Sequence, residues 1–256
     1  MNLTILKDKY KKLTNSLNCD VSEEDYIKIE PKIKNLRNMS EIENRAISLY
    51  DINTKKFLLK VDKHIELLGY SAKDIIDISN IDNYHNMIHT NDLTFLFDSE
   101  IKMYQYLNPL KSDEKKDFKL IYDYRVRSKS GNYIRFLHQL MIYELDRQYN
   151  SWIMLIISDV LSSYAQDEKP RRMLINIKTK KVHLFNEEIG IKSYLITARE
   201  LEVASLLSQG LDSTEIASRL KISLNTVNNH RQHILQKTST KNSVQAATYL
   251  KYIGLL

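Results

Sequence analysis

Residues 215–237, EIASRLKISLNTVNNHRQHILQK, decide the fold of the C-terminal part of the chain. Two helical patterns flank a short turn at 221–223. In the second pattern, Val227, Ile234 and Leu235 are spaced so that they share one side of a helix, which is the side expected to face a core. The stretch therefore predicts a helix-turn-helix.

The second helix of this motif carries a separate stripe of uncharged amide side chains. The stripe consists of Asn225, Asn228, Asn229, Gln232 and Gln236. An amide offers a donor and an acceptor together, which matches the edge of adenine in the major groove of DNA. We expect base-facing roles for Asn225, Asn228, Asn229 and Gln232. For Asn225 and Gln236, plain solvated helix surface is the alternative.

Hydroxyl and basic side chains flank the amide stripe and suit phosphate oxygens. We expect phosphate contacts from Ser223, Thr226, Arg231, Lys237 and Lys241. No Asp or Glu follows Glu215, whereas six basic residues do. A surface of one sign favours DNA because binding releases counterions. The formal net charge of +6 permits a polyanionic partner for the whole chain.

Helix-start signals divide the last sixty residues or so into four helices, expected at 197–208, 212–220, 223–238 and 241–252. Capping boxes pair Thr197 with Glu200 and Asp212 with Glu215. Ser223 and Thr240 are the further expected N-caps, and Gly210 is expected to end the first helix.

A set of motif residues extends through this segment over about 50 positions without a gap. They are Thr197-x-Arg199-Glu200-x-Glu202-Val203, Gly210, Glu215-Ile216-Ala217, Leu220-x-Ile222-Ser223, Thr226-Val227, His230 and Lys237. The segment resembles the LuxR-type C-terminal DNA-binding domain of bacterial transcription regulators. The resemblance implies a four-helix domain whose third helix enters the major groove and whose last helix can pair two subunits on double-stranded DNA.

The same resemblance implies base contacts from Asn228, Asn229 and Gln232, and phosphate contacts from Thr226, Arg231 and Lys237. It implies internal caps and ion pairs for Glu200 and Glu215. Two departures from the family are the amides at base-facing positions, which are often basic or apolar in relatives, and Ser243, which stands where an Arg is common. Lys241 can replace the contact of that Arg.

The first 165 residues predict an α+β domain with one antiparallel sheet. Amphipathic helices are expected at 3–17 and 22–39, the second started by Ser22 and disturbed at Pro31. Two short strands follow, joined at residues 53–54, then a short helix ended by Gly69 and further helices with Thr90 or Asn91 as a cap. A long hairpin turning at 130–132 has arms that alternate as one-sided strands do, and WIMLII at 152–157 reads as a buried strand.

Residues 44–160 resemble a PAS domain. The resemblance rests on Glu66-Leu67-Leu68-Gly69-Tyr70, on Ile88-His89-Thr90-Asn91-Asp92, and on Tyr124-Arg125-x-Arg127-x-Lys129-x-Gly131-x-Tyr133. A pocket, if present, is expected between the sheet and the helices at 63–108. Its candidate lining residues are Tyr122, Phe136, His138, Met141 and Trp152, with plain core packing as the alternative. His85 and His89 could be haem ligands, but His89 belongs to the PAS-like signature and has helix capping as its alternative role, so the cofactor stays unknown.

The predicted organisation is a helical extension at 1–40, a PAS-like sensor or dimerisation domain at 41–165, a linker with a small hairpin at 166–195, and the helix-turn-helix domain at 196–256. The chain lacks a spanning apolar run and has the single Cys19, so a cytoplasmic location is expected.

The sequence thus predicts a homodimeric, sequence-specific DNA-binding transcription regulator whose PAS-like domain senses a small molecule or mediates dimerisation. The alternative is a ligand-free N-terminal scaffold. An enzyme is disfavoured, since the pair His89 and Asp92 lacks a nucleophile or metal set. No metal site is expected at His230 and His233 because no third ligand is near in the sequence.

Overall fold

The computed structural model describes residues 2–61, 63, 67–71, 74, 81–110, 112–161, 169–179, 181–185, 196–238 and 240–256. The chain forms two compact units, Met1–Lys178 with His183–Asn186, and Thr179–Val182 with Glu187–Leu256. Among the described helices, none is long and apolar enough to span a bilayer. The domain boundaries drawn from the sequence stay predictions.

Within the described residues, the helices of the N-terminal unit are α1 (Leu3–Ser16), α2 (Glu23–Glu43), α3 (Ile81–Met87) and α4 (Thr90–Leu107). Its strands are β1 (Ala46–Asp51), β2 (Lys56–Val61), β3 (Phe118–Arg127), β4 (Tyr133–Leu145), β5 (Ser151–Val160), β6 (Arg172–Asn176) and β7 (Val182–Phe185). A 3-10 helix, Asp113–Asp117, precedes β3. The α+β class with an antiparallel sheet is therefore confirmed. The short helix expected near 62–69 lies largely outside the described residues.

The sheet has the strand order β2-β1-β5-β4-β3-β6-β7. Antiparallel ladders pair β1 with β2 and β5, β4 with β3 and β5, and β6 with β3. The pairing of β6 with β3 makes a strand that the sequence assigned to the linker an integral part of this sheet. β3 thus lies inside the sheet, flanked on both edges.

Helices cover both faces of the sheet. On one face, α1, α3 and α4 pack over a core that includes Phe97, Tyr122 and Leu140. On the other face, α2 packs over a core that includes Leu49 and Trp152. The one-sided strands expected for the long hairpin are therefore wrong, since β3 is buried at seven of its ten positions. α1 packs on its own unit through the buried Leu6, and α2 continues through Pro31.

Local signals place most of the turns and caps of this unit. Gly131 adopts φ +90° at the tip of the β3–β4 hairpin, where a residue with a Cβ is strained. Ser22 caps α2 in a capping box with Asp25. The cap expected at Thr90 or Asn91 is instead His89, whose Nδ1 accepts from the Asn91 amide at 3.3 Å. An imidazole nitrogen serves here as the acceptor that a shorter polar side chain usually supplies.

The C-terminal unit is a bundle of four helices, α5 (Ala198–Ser208), α6 (Ser213–Leu220), α7 (Leu224–Thr238) and α8 (Ser243–Tyr252). The all-α prediction is confirmed. The first and last residues of each predicted helix lie within two positions of those observed. The fully buried core residues are Val203, Ile216, Val227 and Leu250. These four side chains come from four different helices, so burying them holds the whole bundle together.

Three of the predicted starts in this bundle are observed. Both capping boxes form, with Thr197 and Glu200 on α5 and Asp212 and Glu215 on α6. Ser223 Oγ accepts from the Thr226 amide at 3.1 Å. The start expected at Thr240 is wrong, because Thr240 is buried beside Thr238. Asn242 caps α8 instead, accepting from the Gln245 amide.

Candidate DNA interface and ligand cavity

The amide stripe of α7 lies on the open side of the C-terminal unit. Asn225, Asn228, Asn229, Gln232 and Gln236 are all exposed, whereas Val227 and Ile234 on the opposite side are buried. The helix is held in this orientation by its apolar side and by the α6–α7 turn. In that turn the Ile222 amide donates to the Ala217 carbonyl at 3.0 Å. The result is a helix that offers a row of donors and acceptors to a partner.

The flanking residues divide into two groups. Ser223 and Lys241 are exposed and Thr226 is partly exposed, as phosphate contacts require. Arg231 is engaged within the bundle, because its guanidinium donates to the hydroxyls of Ser213 and Ser243. These contacts join α7 to α6 and α8 and compete with the phosphate contact that the sequence predicts for Arg231.

Lys237, for which the sequence also predicts a phosphate contact, is likewise engaged within the bundle. Its ammonium lies 2.7 and 2.8 Å from the two carboxylate oxygens of Glu200, and only 15% of its side chain is exposed. Burial alone would raise the pKa of Glu200, but the donors Lys237 and Thr197 outweigh this effect and leave the pKa below its usual value. Lys237 thus ties α7 to α5 as the partner of a buried acid.

The sequence also predicted that no third metal-ligating side chain lies near His230 and His233, and this prediction is wrong. Atoms of Glu200, His230 and His233 that could bind a metal lie within 4.8 Å of one another. Helix packing brings Glu200 to this place from thirty residues earlier in the chain. Both of its oxygens already contact Lys237, however, so a cation would have to displace the ammonium group.

A cavity of about 360 Å³ lies in the N-terminal unit between the sheet and its helices. Its floor is formed by β1, β3, β4 and β5, and α3 and α4 form part of its walls. Tyr10 of α1 and Leu17, the residue that follows this helix, also line the cavity, which the sequence did not indicate. The position between the sheet and the helices at 63–108 was predicted.

Three of the five predicted lining residues face this cavity, namely Tyr122, Phe136 and His138. Met141 and Trp152 do not, and their prediction is corrected here. Both pack on the opposite face of the sheet, where the Trp152 ring meets Tyr26 of α2 edge-on at 5.2 Å between centroids. Adjacent residues of a strand point to opposite faces, so Met141 turns away from the cavity that Leu140 lines.

The floor of the cavity is polar at His138. Its Nδ1 lies 3.0 Å from the Tyr124 hydroxyl and 3.2 Å from the Ser158 hydroxyl, and Tyr84 extends this chain through the Tyr124 hydroxyl at 2.8 Å. Burial, and to a smaller extent nearby His85, lowers the pKa of His138 to about 3. The imidazole is therefore neutral at ordinary pH and offers hydrogen bonds without charge.

The wall of the cavity holds an acid, Glu100 of α4. Its two oxygens accept from the hydroxyls of Tyr10 at 2.7 Å and Tyr122 at 2.5 Å. Burial raises the pKa of Glu100, and the two hydroxyls only partly oppose that rise. Glu100 was missed, although a signal existed. It stands on the apolar stripe of α4, four residues after Leu96 and four before Tyr104.

The pair considered for catalysis has structural roles. Asp92 is fully buried, and its carboxylate binds Arg125 through the guanidinium at 2.7 and 2.8 Å and through the backbone amide at 2.9 Å. His89 caps α4 and stacks edge-on against Tyr133. These contacts fasten the start of α4 to β3 and β4. They leave neither side chain free to act on a substrate.

Comparison with known proteins assigns the C-terminal unit to a family. Residues 195–250 match the family described as bacterial regulatory proteins, luxR family. The spore germination protein GerE of Bacillus subtilis is 45% identical over 62 residues, which cover 24% of this chain and 84% of GerE.

Two further matches concern longer proteins or more distant structures. The transcriptional regulatory protein LnrK of Bacillus subtilis is 40% identical over 60 residues, which are 23% of this chain and 27% of LnrK. The chain thus spans about a quarter of the length of LnrK. A crystal structure of a phage VqmA–DPO complex aligns with 14% identity and a TM-score of 0.33, covering 88% of this chain and 89% of that chain.

The GerE match is the decisive one, because it extends over most of that protein and over the helix-turn-helix described above. The chain belongs to the luxR family of bacterial regulatory proteins.

Proposed function

We propose that the chain is a sequence-specific DNA-binding transcription regulator in which α7 reads the major groove. The observation that carries this proposal is the exposed amide stripe of α7, standing on a bundle without acidic residues after Glu215. Family membership supports it, since relatives such as LnrK are named as transcriptional regulatory proteins. A target in the chromosome would place the protein in the bacterial cytoplasm.

The base-facing residues of the proposal are Asn225, Asn228, Asn229 and Gln232. Their exposed amides can pair with base edges, and a bidentate amide contact discriminates against a wrong base by about 1–3 kcal/mol. The phosphate contacts of the revised proposal are Ser223, Thr226 and Lys241, because Arg231 and Lys237 are engaged within the bundle. Two copies on paired half-sites are proposed, as for other helix-turn-helix proteins.

For the N-terminal unit we propose a PAS-like sensor of a small ligand. The cavity of about 360 Å³ supports this role over that of a scaffold, whose interior would be filled by its own side chains. We propose no catalytic activity, since the acid and imidazole of the cavity bond to tyrosine and serine hydroxyls and lack a nucleophile with its base.

Selection of random double-stranded DNA by the full-length protein tests the DNA-binding proposal. We expect an operator with two related half-sites and a 2:1 protein-to-DNA stoichiometry. Asn229→Ala should relax preference at one position of each half-site, which corresponds to a loss of about 1–3 kcal/mol for the preferred base. The matched control is Gln236→Ala at the end of the same stripe. An Asn229→Ala protein that selects an unchanged operator would contradict the proposed reading role.

A further inference from the structure

The acid in the cavity wall is incompletely satisfied by the protein. Glu100 is 9% exposed, and each of its carboxylate oxygens accepts one tyrosine hydroxyl, from Tyr10 or from Tyr122. A carboxylate oxygen can accept two hydrogen bonds, so one lone pair on each oxygen stays available. Within the part of the chain that the structure describes, no basic side chain forms an ion pair with Glu100.

A buried Glu100 carboxylate is unfavourable unless a cation or further hydrogen-bond donors contact it. A buried carboxylate is stabilised by an opposite charge and by a full set of hydrogen bonds, and the protein supplies only the two hydroxyls. Glu100 lines the open volume, so a cation placed in the cavity would reach it. Burial disfavours the ionised form of Glu100, and an anionic ligand would disfavour it further, whereas a cation in the cavity would offset the charge of the carboxylate.

The walls around the acid are aromatic. Rings of Tyr50, Phe57, Tyr84, Tyr104 and Phe136 line the same cavity. Aromatic faces attract organic cations, with the strongest effect where water is excluded. The outer part of this wall already holds an ammonium group, because Lys60 Nζ lies 5.2 Å from the centroid of Phe57 and 6.0 Å from that of Tyr84.

We infer that the cavity takes a small organic cation, an amine or an amidine, whose N–H groups donate to Glu100 and whose carbon skeleton packs on the surrounding rings. The inference rests on the proposed sensing role and names the class of ligand. The hydroxyl of Tyr10 donates to the same carboxylate, so α1 contacts the proposed binding site directly.

Four lysines, Lys7, Lys11, Lys55 and Lys60, also line the cavity, and among the described contacts none of them is an ion pair with Glu100. Lys11 and Lys55 are exposed, so solvent screens their charges. The Lys55 ammonium donates to the carbonyls of Thr14 and Leu17 near the end of α1, at 2.6 and 3.5 Å.

Three probes that share one skeleton test the inference on the full-length protein. They are phenethylamine, 2-phenylethanol and 3-phenylpropanoate, with butylamine, butanol and butanoate as a second set. Binding is measured by isothermal titration calorimetry and by the rise in melting temperature. We expect the amines to bind more tightly than the matched alcohols and carboxylates. Glu100→Gln should weaken amine binding at least about tenfold, which corresponds to about 1.4 kcal/mol, and leave alcohol binding unchanged.

Several results would overturn the inference. Tighter binding of the alcohol or the carboxylate than of the amine is one, and equal amine binding by wild type and Glu100→Gln is another. Should Glu100→Gln fail to fold, the comparison of amine with alcohol on the wild-type protein decides alone. Binding of a neutral or anionic probe more tightly than its matched amine would refute the ligand class and keep the sensing role. Failure of all six probes would count against both, while the DNA selection would still judge the DNA-binding role.

Discussion

Glu100 and Glu200 are buried on helices, one in each unit of the chain, and their surroundings are opposite. Glu200 is 2% exposed and has the Lys237 ammonium on both oxygens, together with the donors of a capping box. Glu100 has two neutral hydroxyls and faces a cavity. The pKa of Glu200 is accordingly lowered, despite burial, while burial raises that of Glu100. A buried acid with its own cation serves the fold, whereas one without a cation is available to a ligand.

Removing the cation of the satisfied acid should have the largest effect. Lys237→Ala leaves Glu200 charged, buried and unpaired, so we expect a loss of about 3 kcal/mol in unfolding free energy. Differential scanning calorimetry of the full-length protein measures this loss. Lys241→Ala is the matched control, since Lys241 is exposed and should leave stability within about 0.5 kcal/mol.

Salt titrations of DNA binding separate the same two lysines. Under the proposed function, Lys241→Ala lowers the slope of log affinity against log salt by about one. Lys237→Ala, measured where it is folded, leaves the slope unchanged because its charge already belongs to Glu200. A lower slope for Lys237→Ala together with unchanged stability would restore the phosphate role expected from the sequence.

The two acids should also give stability opposite dependences on pH. Glu200 has a lowered pKa in the folded state, so its contribution is present above its unfolded pKa of about 4.3 and is lost as pH falls through the folded value. Glu100 has a raised pKa, so its contribution is present below the unfolded value and is lost as pH rises through the folded one.

Calorimetry across a pH series compares wild type with Glu200→Gln and with Glu100→Gln. The difference between wild type and Glu200→Gln should shrink on acidification, and the difference between wild type and Glu100→Gln should change in the opposite direction. Two differences with the same sign of slope would show that the surroundings of the acids are alike, against the structure.

Loss of one neutral donor should have the smallest effect. Tyr10→Phe removes the hydroxyl that bonds to Glu100 but keeps the ring, which lies 4.9 Å from Phe97 between centroids. We expect a loss of about 1 kcal/mol in unfolding free energy, which is the usual net contribution of one hydrogen bond to stability. Tyr70→Phe is the control, because its hydroxyl donates to the Arg127 carbonyl at an exposed site. Equal losses for the two variants would place Glu100 in solvent-like surroundings.

Local signals in the sequence predicted the bundle well. The capping boxes, the turn at Gly210 and the apolar side of α7 are set by residues three or four positions apart, so the open amide stripe followed from them. The partners of Arg231 and Lys237 were not predictable in this way. Glu200 lies 37 residues before Lys237, and only the packing of α5 on α7 brings the two side chains together.

The cavity was predictable in position but only partly in its residues. Alternation along a strand separates two faces, yet it does not say which face meets α3 and α4 and which meets α2. Met141 and Trp152 were assigned to the wrong face for that reason, and the register shift after Ile142 complicates the pattern further. The contribution of α1 depends on Tyr10 reaching Glu100 across 90 residues. Glu100 itself could have been predicted, because it is a carboxylate on an apolar helical stripe.

The pairing of β6 with β3 determines where the sensor unit can be cut for use in fusion proteins. A fragment ending at residue 165 would keep β3 but lose the strand that satisfies its backbone from Phe118 to Tyr122. The freed edge would present unpaired amides and carbonyls beside apolar side chains, which is a common starting point for aggregation. The same cut would remove Arg171 and Arg172, the partners of Asp123 and Asp98. Fragments that extend through Phe185 keep β6, its neighbour β7 and both arginines.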